Sequence, residues 1–301
     1  MDREKWLAER KKGIGGSDAA AIVGLTPYAT PYTVWADKTG RLPEREDNEA
    51  MRQGRDLEDY VAKRFTEKTG KKVRRNSKML HNPLYPFALA NIDRDIVGEN
   101  AGFEAKTTSV LNLKKFKNGE YPENYYVQCV HYLAVSGYKR WYLGVLVLNQ
   151  GFYDFVIERD QDEIDALMSA EGDFWNGYVV TDTPPPMDGH KPTSDALSVV
   201  YEKSVDAEVK ALFRSDIIQN YNNLKEQIAA LEAEKEKCEQ ILKQDLGEAE
   251  YGACGNFLIE WKGRSRSTFD YKAFRADNPS VDMSDYFKTT NFRKFTVKEQ
   301  K

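Results

Sequence analysis

"FALANIDRDIVGENAGFEAKTTS", residues 87–109, contains two stretches typical of β-strands, separated by a short turn at Gly98–Gly102. Successive side chains of a strand point to opposite faces, so residues two positions apart share a face. The alternation therefore predicts that Asn91, Asp93 and Asp95 lie on one face of the first strand. We expect the two strands to form an antiparallel hairpin, which would bring these acids beside the second strand.

The second strand places Glu104 and Lys106 on one face. A glutamate and a lysine two positions apart are most often an exposed ion pair. The neighbouring Asp93 favours a different interpretation, because two carboxylates and the main-chain carbonyl of Ala105 form the oxygen donor set that suits Mg²⁺, with Mn²⁺ as a substitute. Lys106 would then orient a metal-bound water or help to deprotonate it, while the metal lowers the pKa of that water.

The chain has 301 residues, of which 41% are hydrophobic, enough for one large core or for one core with an appendage. Its longest apolar run, "WYLGVLVL" at 141–148, is too short for a membrane span, and the charged N-terminus is not typical of a signal peptide. We therefore expect a cytoplasmic protein without a membrane partner. The three cysteines lack paired spacing, which argues against a disulfide framework, a zinc site or an iron–sulfur cluster.

The net charge of −4 is unevenly distributed. Residues 158–208 hold 13 acidic and 3 basic side chains, so the rest of the chain carries a net charge of +6. The basic residues cluster at 10–12, 71–78, 113–117 and 261–266. Each cluster is either an ordinary solvated surface or part of a phosphate-binding surface, so the acidic total does not exclude DNA as a partner.

Periodicity and breaker residues predict a mixed sheet with helices packed against it. Ser17 is a candidate N-cap for a short helix that ends at Gly24. Further helices are predicted at 31–40, 46–70 and 122–137, and strands at 71–80, 87–97, 101–109, 140–148 and 152–158.

Three consecutive prolines at 184–186 predict a boundary between a domain at 1–185 and an extension at 186–301. Within the extension, apolar residues recur at alternating steps of four and three from Ile217 to Leu242, interrupted by Lys235, which predicts a long heptad-patterned helix. This helix would either pack on its own domain or mediate oligomerisation. "FLIEW" and "RKFTV", at 257–261 and 293–297, are predicted strands in a basic, aromatic tail.

The order Glu58, Asp93, Glu104-Ala105-Lys106, Gln128 resembles the PD-(D/E)XK nuclease superfamily. Within it, "WLAERKKGIGGSDAAAI" at 6–22, "GRDLE" at 54–58 and "YYVQCVHYLAVSG" at 125–137 are similar to blocks of the YqaJ-type viral recombinases, relatives of lambda exonuclease. The resemblance covers residues 6 to about 158 and implies an α/β PD-(D/E)XK nuclease core followed by a helical and small β extension.

The chain departs from the family pattern at two positions. Ile92 stands where relatives usually have proline, and Asp95 adds a second acid on the face of Asp93. Which of the two aspartates is the metal ligand therefore stays open.

The resemblance implies a role for each matching residue. Asp93 and Glu104 would hold the metal, Glu58 would be a further acid able to hold a second ion, and Lys106 would orient water. Gln128 would position the nucleophile or a phosphate.

Three other residues concern the DNA end. Arg10 and Ser17 match positions that bind a terminal 5′-phosphate in relatives. His131 is interpreted as a structural or phosphate-contacting histidine in preference to a metal ligand.

The implied activity is that of a Mg²⁺-dependent deoxyribonuclease, a 5′→3′ exonuclease that digests linear double-stranded DNA and leaves a single-stranded tail for an annealing protein. Relatives form ring-shaped trimers, so a homo-oligomer is implied as well. The alternatives are a structure-selective or restriction-type endonuclease and a catalytically silent DNA-binding module of the same fold.

Overall fold

The protein is described by a computed structural model. It covers residues 3–44, 47–116, 118–204, 209–289 and 292–299. The chain divides into two compact units, Met1–Glu202 and Lys203–Lys301. No helix in the described part of the chain is long and apolar enough to span a membrane.

The first unit contains eight described strands and seven described α-helices. The strands are β1 (Ile14–Gly15), β2 (Val73–Arg75), β3 (Met79–Asn82), β4 (Tyr85–Asn91), β5 (Arg94–Ile96), β6 (Ala101–Thr108), β7 (Arg140–Val147) and β8 (Gly151–Glu158). The helices are α1 (Arg3–Arg10), α2 (Gly16–Ile22), α3 (Pro31–Lys38), α4 (Glu49–Thr69), α5 (Glu123–Ser136), α6 (Gln161–Phe174) and α7 (Lys191–Val200). A 3₁₀ helix, Val110–Phe116, follows β6, and a π-helical turn, Trp175–Val179, follows α6.

The larger sheet has five strands in the order β2-β5-β6-β7-β8. Strands β6 and β7 run parallel, and the other neighbours run antiparallel. Helix α4 contacts strand β6, and helix α5 contacts strand β7. Because strand β7 is covered on both faces, nearly every one of its residues is buried and apolar. The predicted mixed sheet with flanking helices is confirmed.

The predicted strand at 87–97 is two strands in two different sheets. Strand β4 belongs to a three-stranded sheet of order β1-β4-β3, and the chain bends at Ile92 and Asp93 before β5 enters the five-stranded sheet. The prediction of a single strand at 87–97 was wrong because alternation continues through the bend, with Ile92 buried like the residues around it. Asn91 therefore lies in a different sheet from Asp95. The predicted strand at 71–80 is likewise divided between the two sheets, as β2 and β3.

The predicted antiparallel hairpin is confirmed by the pairing of β5 with β6. Arg94 pairs with Phe103, and Asp95 pairs with Gly102. A side chain at Gly102 would collide with the ring of Trp141, since a Cβ atom there would lie 2.2 Å from it. Glycine at this position thus lets the Trp141 ring pack over the start of β6.

Helix starts differ from the prediction in two places. The N-cap of α2 is Gly15, whose N–H donates to Asp18 Oδ2 at 3.0 Å, so Ser17 lies in the first helical turn and not at the cap. Helix α4 is capped by Asn48, whose side chain accepts from the N–H of Met51. Its predicted start at Glu46 lies outside the described residues.

Helix α7 belongs to the first unit, so the division between units falls after Glu202 and not after residue 185. Ala196 is buried in a cluster with residues of α3, and the hydroxyls of Thr193 and Thr30 lie 2.7 Å apart. The three prolines interrupt regular structure, but the chain returns to the same core after them.

The second unit contains a long helix and a small hairpin. Its described elements are α8 (Ser215–Leu246), β9 (Tyr251–Cys254), β10 (Phe257–Glu260), α9 (Tyr271–Asp277) and a 3₁₀ turn, Ser284–Tyr286. Helix α8 confirms the prediction from the heptad pattern. The predicted strand at 293–297 was wrong, because these residues adopt no regular structure.

Candidate active site

Strand β6 carries the centre of the site. The Lys106 ammonium lies 2.6 Å from Glu104 Oε1, which is possible because the two side chains share a face. Glu104 is only 4% exposed, whereas the end of Lys106 faces the ring of Tyr125, with 5.5 Å between the nitrogen and the ring centroid. The pair is therefore not the solvated surface ion pair of the simplest interpretation.

Asp93 lies beside this pair, at the bend before β5. Its Oδ2 accepts a hydrogen bond from the N–H of Ala105 at 2.8 Å. Asp95 faces elsewhere, because its carboxylate accepts from Tyr138 and Asn76 and forms an ion pair with Arg74 at 3.2 Å. Of the two acids, Asp93 is thus the one whose carboxylate lies beside Glu104.

The two carboxylates are short of positive charge. Glu104 Oε2 is buried and has no hydrogen-bond partner among the described residues. Burial, and then the nearby Glu104 carboxylate, raise the pKa of Asp93 to about 7. A buried carboxylate oxygen without a partner, beside a second carboxyl that resists ionisation, is a donor set that fits a bound cation.

Lys106 is a charged ammonium in this setting. Burial alone would lower the pKa of Lys106, but Glu104 and then Asp93 outweigh burial and raise it above its ordinary value. An ammonium donates hydrogen bonds and cannot accept a proton. Of the two roles predicted for Lys106, orienting a water is the one for which an ammonium donor is suited.

Gln128, on α5, also bonds to Glu104. Its Nε2 donates to Glu104 Oε1 at 2.8 Å and to the Tyr132 hydroxyl at 2.7 Å. All three side chains are buried. The amide orientation is therefore fixed by two acceptors, and Gln128 is not the exposed polar residue that a lone glutamine on a helix could be.

Glu58, on α4, is held by an arginine. The Arg94 guanidinium donates to Glu58 Oε1 at 3.0 Å and also to Asp59, and Arg94 is only 6% exposed. Burial, and then the Asp93 carboxylate, raise the pKa of Glu58, so Glu58 and Asp93 are near enough to interact. Within the described ranges, no three side chains of the His, Cys, Asp or Glu types form a ready metal cluster.

A second group of polar residues lies at the start of α2. Arg10 Nη2 donates to Ser17 Oγ at 2.8 Å and lies 3.5 Å from Asp18 Oδ1. The Lys38 ammonium, with a side chain that is 0% exposed, contacts Asp18 Oδ2 at 2.7 Å and donates to the Arg10 carbonyl at 3.0 Å. Burial alone would raise the pKa of Asp18, but Lys38 and Arg10 outweigh it and hold this pKa below its ordinary value.

Gly16 joins the two groups. A Cβ atom at this position would lie 2.6 Å from the Tyr132 ring and 3.1 Å from the Gln128 side chain. The backbone at the start of α2 therefore packs directly on the residues that hold Glu104. Ser17 follows Gly16 directly, so the hydrogen-bonded pair of Arg10 and Ser17 lies next to this packing contact.

Comparison with known proteins gives the same assignment. A protein-family description, "YqaJ-like viral recombinase domain", matches residues 5–139. Over 304 aligned residues, the chain is 42% identical to a Bacillus subtilis (strain 168) protein, "Uncharacterized protein YqaJ", and the match covers 99% of this chain and 95% of that one.

The chain belongs to the YqaJ-like viral recombinase family.

Solved structures show the fold of this YqaJ family member. An alkaline exonuclease, LHK-Exo from Laribacter hongkongensis, superposes with a TM-score of 0.51 at 19% identity, covering 60% of this chain and 93% of the exonuclease. The structure of LHK-Exo in complex with dAMP gives a TM-score of 0.52 at 20% identity, with the same coverage. The nuclease fold predicted from the sequence is therefore confirmed.

His131 is a structural residue of the YqaJ fold, so its interpretation as a phosphate contact was wrong. The side chain is 0% exposed, Nδ1 lies 2.8 Å from the Glu171 carboxylate, and Nε2 lies 2.9 Å from the Leu89 carbonyl. Burial alone would lower the pKa of His131. The interactions with Glu171 and the Leu89 carbonyl together outweigh burial and raise this pKa above its ordinary value. Both ring nitrogens are engaged, and neither can reach DNA.

The predicted basic surface at 71–78 is largely neutralised. Lys71 pairs with Glu99, Arg74 with Asp95 and Arg75 with Asp59. In the cluster at 113–117, Lys114 and Lys115 are exposed, whereas Lys117 lies outside the described residues.

Five residues of this site were not predicted from the sequence, although the spacing of one of them along its helix could have identified it. The missed residues are Asp18, Lys38, Arg94, Tyr132 and Glu171. Tyr132 lies four positions after Gln128, a spacing that puts both on one helix face. Lys38, Arg94 and Glu171 bond to partners 28, 36 and 40 residues away, and no local pattern predicts such contacts. Asp18 pairs with Lys38, which lies 20 positions further along the chain.

Proposed function

We propose that this protein is a Mg²⁺-dependent deoxyribonuclease that digests linear double-stranded DNA from the 5′ end, in phage-type recombination by single-strand annealing. The observation that carries the proposal is the buried oxygen without a partner on Glu104, whose other oxygen pairs with Lys106 and whose carboxylate lies beside Asp93. The family's description as viral recombinases and the alkaline exonuclease title of the LHK-Exo structures support the same activity.

The donor set fits a hard divalent cation. Asp93, Glu104 and the Ala105 carbonyl would hold Mg²⁺ or Mn²⁺, and waters would complete the coordination, as is usual for Mg²⁺. When bound, the ion lowers the pKa of a coordinated water and stabilises charge on the phosphate.

The chain's own groups would then do the rest. The Lys106 ammonium would donate hydrogen bonds toward the attacking water or a phosphate oxygen. Gln128 keeps Glu104 in one orientation, and Tyr132 keeps Gln128 in place. A fixed donor directed at developing charge is worth about 10²–10³ in rate.

Arg94 supports a single cation rather than two. A second ion would need Glu58, but the Arg94 guanidinium already neutralises Glu58 at 3.0 Å and is itself buried. We infer that Arg94 replaces the second ion that Glu58 was predicted to hold.

Replacing Arg94 with methionine should therefore free Glu58 for a metal. Isothermal titration of Mn²⁺ is expected to give one bound ion for the parental protein and two for Arg94→Met. Arg75→Met is the matched control, since Arg75 binds Asp59 and its bonds do not involve Glu58. Two bound ions in the parental protein would contradict the inference.

Arg10 and Ser17 support recognition of a terminal 5′-phosphate. Ser17 is exposed, Arg10 is partly exposed, and the two share a hydrogen bond at the N-terminal turn of α2. The buried Lys38 and the largely covered Asp18 contact the arginine. A terminal phosphate carries more charge and more acceptor oxygens than a bridging phosphate, so charge-assisted bonds would favour it.

The protein should therefore degrade 5′-phosphorylated linear duplex about 10- to 100-fold faster than the same duplex with a 5′-hydroxyl, since a charge-assisted bond contributes about 1.5–3 kcal/mol. Arg10→Ala should shrink that ratio, whereas Lys5→Ala, a charge change on the same helix, should not. Degradation is followed by gel, with and without Mg²⁺. Ready nicking of covalently closed circles would favour the endonuclease alternative, and no cleavage of either substrate would favour a silent DNA-binding module.

The product also implies partners. Digestion from 5′ ends leaves 3′ single strands, which are the substrate of an annealing protein. A ring-shaped trimer around duplex DNA is proposed from the resemblance, as a means of retaining the substrate.

A further inference from the structure

Helix α8 is a long amphipathic helix whose apolar side is open to solvent. It spans Ser215–Leu246, about 48 Å at 1.5 Å per residue. Six apolar residues on one side are each between 41% and 65% exposed: Ile217, Tyr221, Leu224, Ile228, Leu231 and Leu242. A helix of this length has little stability of its own from a single exposed apolar stripe, so the stripe requires a partner surface.

The spacing of the stripe is that of a coiled coil. Steps of four and three run through nearly four heptads, with two sets of core positions. The a positions are Tyr221, Ile228, Lys235 and Leu242, and the d positions are Ile217, Leu224, Leu231 and Cys238.

We propose that α8 pairs with α8 of a second copy of this chain as an antiparallel two-stranded coiled coil. The proposal concerns the second unit alone and does not depend on the nuclease activity. It rests on the core positions of the heptad and on the charges that flank them. These residues are compatible when the two helices run antiparallel, whereas like charges meet when the helices run parallel.

In a parallel pair, like charges would meet in three places. Lys235 would lie against Lys235 of the second copy in the core, because a positions face each other. Glu234 occupies a g position and would face Glu239 of the second copy, which occupies an e position. Because the pair is symmetric, this contact occurs once on each side. Like-charge contacts at these positions are destabilising. Within one helix, Lys235 pairs with Glu239 at 2.8 Å, which offsets part of this repulsion but leaves the two Lys235 side chains facing each other in the core.

In an antiparallel pair, the same residues become compatible. Each a position meets a d position, so Tyr221 faces Cys238, Ile228 faces Leu231 and Lys235 faces Leu224, with both ends of the stripe covered. Lys225 and Glu232, both e positions, form two attractive cross-pairs. Lys235 packs its aliphatic stem on leucine while its ammonium reaches solvent.

The described tail leaves this stripe available. The Phe295 ring meets the Tyr221 ring edge-on, with 6.2 Å between the ring centroids, yet Tyr221 remains 42% exposed. Val297 and Glu299 line a cavity with Ile218, Asn222 and Lys225, which are at e and b positions on the flank of the helix and not at its a and d positions.

Cysteine crosslinking of the full chain separates the two directions. With Cys254 replaced by serine, an antiparallel pair predicts that Tyr221→Cys will form a covalent dimer with native Cys238 under mild oxidation. The parental Cys238 alone should not crosslink, and neither should Asn223→Cys, which lies on the outer side. Crosslinking through Cys238 alone would show a parallel pair, and no crosslink in Tyr221→Cys would overturn the pairing.

Mass measurement provides an independent readout. Leu231→Glu, at an exposed core position, should halve the mass measured by light scattering, whereas Ala233→Glu on the outer side should leave it unchanged. Because Leu231 is 65% exposed in the single chain, its replacement does not threaten the fold of that chain. An unchanged mass in Leu231→Glu would overturn the proposal.

Discussion

Replacing Glu104 with glutamine is expected to abolish cleavage, lowering the rate on linear duplex by about 10³-fold or more. The substitution keeps the shape of the side chain and an oxygen for Gln128, but it removes the charge of the carboxylate whose second oxygen has no partner. A metal ion contributes several kcal/mol of charge stabilisation, and a factor of 10³ corresponds to about 4 kcal/mol. Digestion in Mg²⁺ is followed by gel, and Mn²⁺ binding by isothermal titration.

Asp95→Asn is the matched control for this variant. Asp95 is an acid on the neighbouring strand, but its carboxylate bonds to Tyr138 and Asn76 instead of facing Ala105. Asp93→Asn should lose metal binding and cleavage as Glu104→Gln does, while Asp95→Asn should keep both within a few-fold. Parental cleavage by Glu104→Gln would show that the site has been assigned to the wrong residues. Duplex binding should survive in all three variants, since the exposed basic residues, such as Lys114 and Lys115, are unchanged.

The predictable part of the site is the part set by local spacing. The alternation in β6 correctly placed Glu104 and Lys106 together, and the short turn correctly predicted the hairpin that brings Asp93 to Ala105. These contacts follow from strand geometry, which a sequence carries within a few residues.

The contacts that the sequence did not predict depend on where separate elements meet. A histidine after Gln128 on a helix gives no sign that Glu171, 40 positions later, will bury its carboxylate against the ring. Arg94 is similar, because a basic residue between two acids suggests a surface, yet α4 covers it and Glu58 neutralises it. Ser17 was predicted as the N-cap because serine is a strong capping residue, but Gly15 takes that place and Asp18 binds its N–H.

The same distinction applies to the whole chain. The bend at Ile92 and Asp93 transfers the chain from one sheet to another without interrupting the alternation of buried and less buried residues. Alternation reports which side of a strand is buried and not which sheet it joins. The heptad of α8, by contrast, is a property of one helix, and its bounds were predicted closely.

Replacing Lys106 with methionine is expected to lower the cleavage rate by about 10²–10³-fold while leaving metal binding as tight as before or tighter. The reason is that Lys106 neutralises the same oxygens that would hold the ion, with its ammonium 2.6 Å from Glu104. Without it, the two buried carboxylates attract a cation more strongly, but no donor orients the water.

This combination separates a positioning amine from a metal ligand, because Glu104→Gln should lose both properties and Lys106→Met only one. Single-turnover digestion of 5′-phosphorylated duplex measures the first property, and Mn²⁺ titration measures the second. Lys71→Met removes the same charge from a surface pair with Glu99 and should change neither. If Lys106→Met cleaves at the parental rate, water orientation must come from another group, and if it loses the metal as Glu104→Gln does, Lys106 supports the carboxylates and not the water.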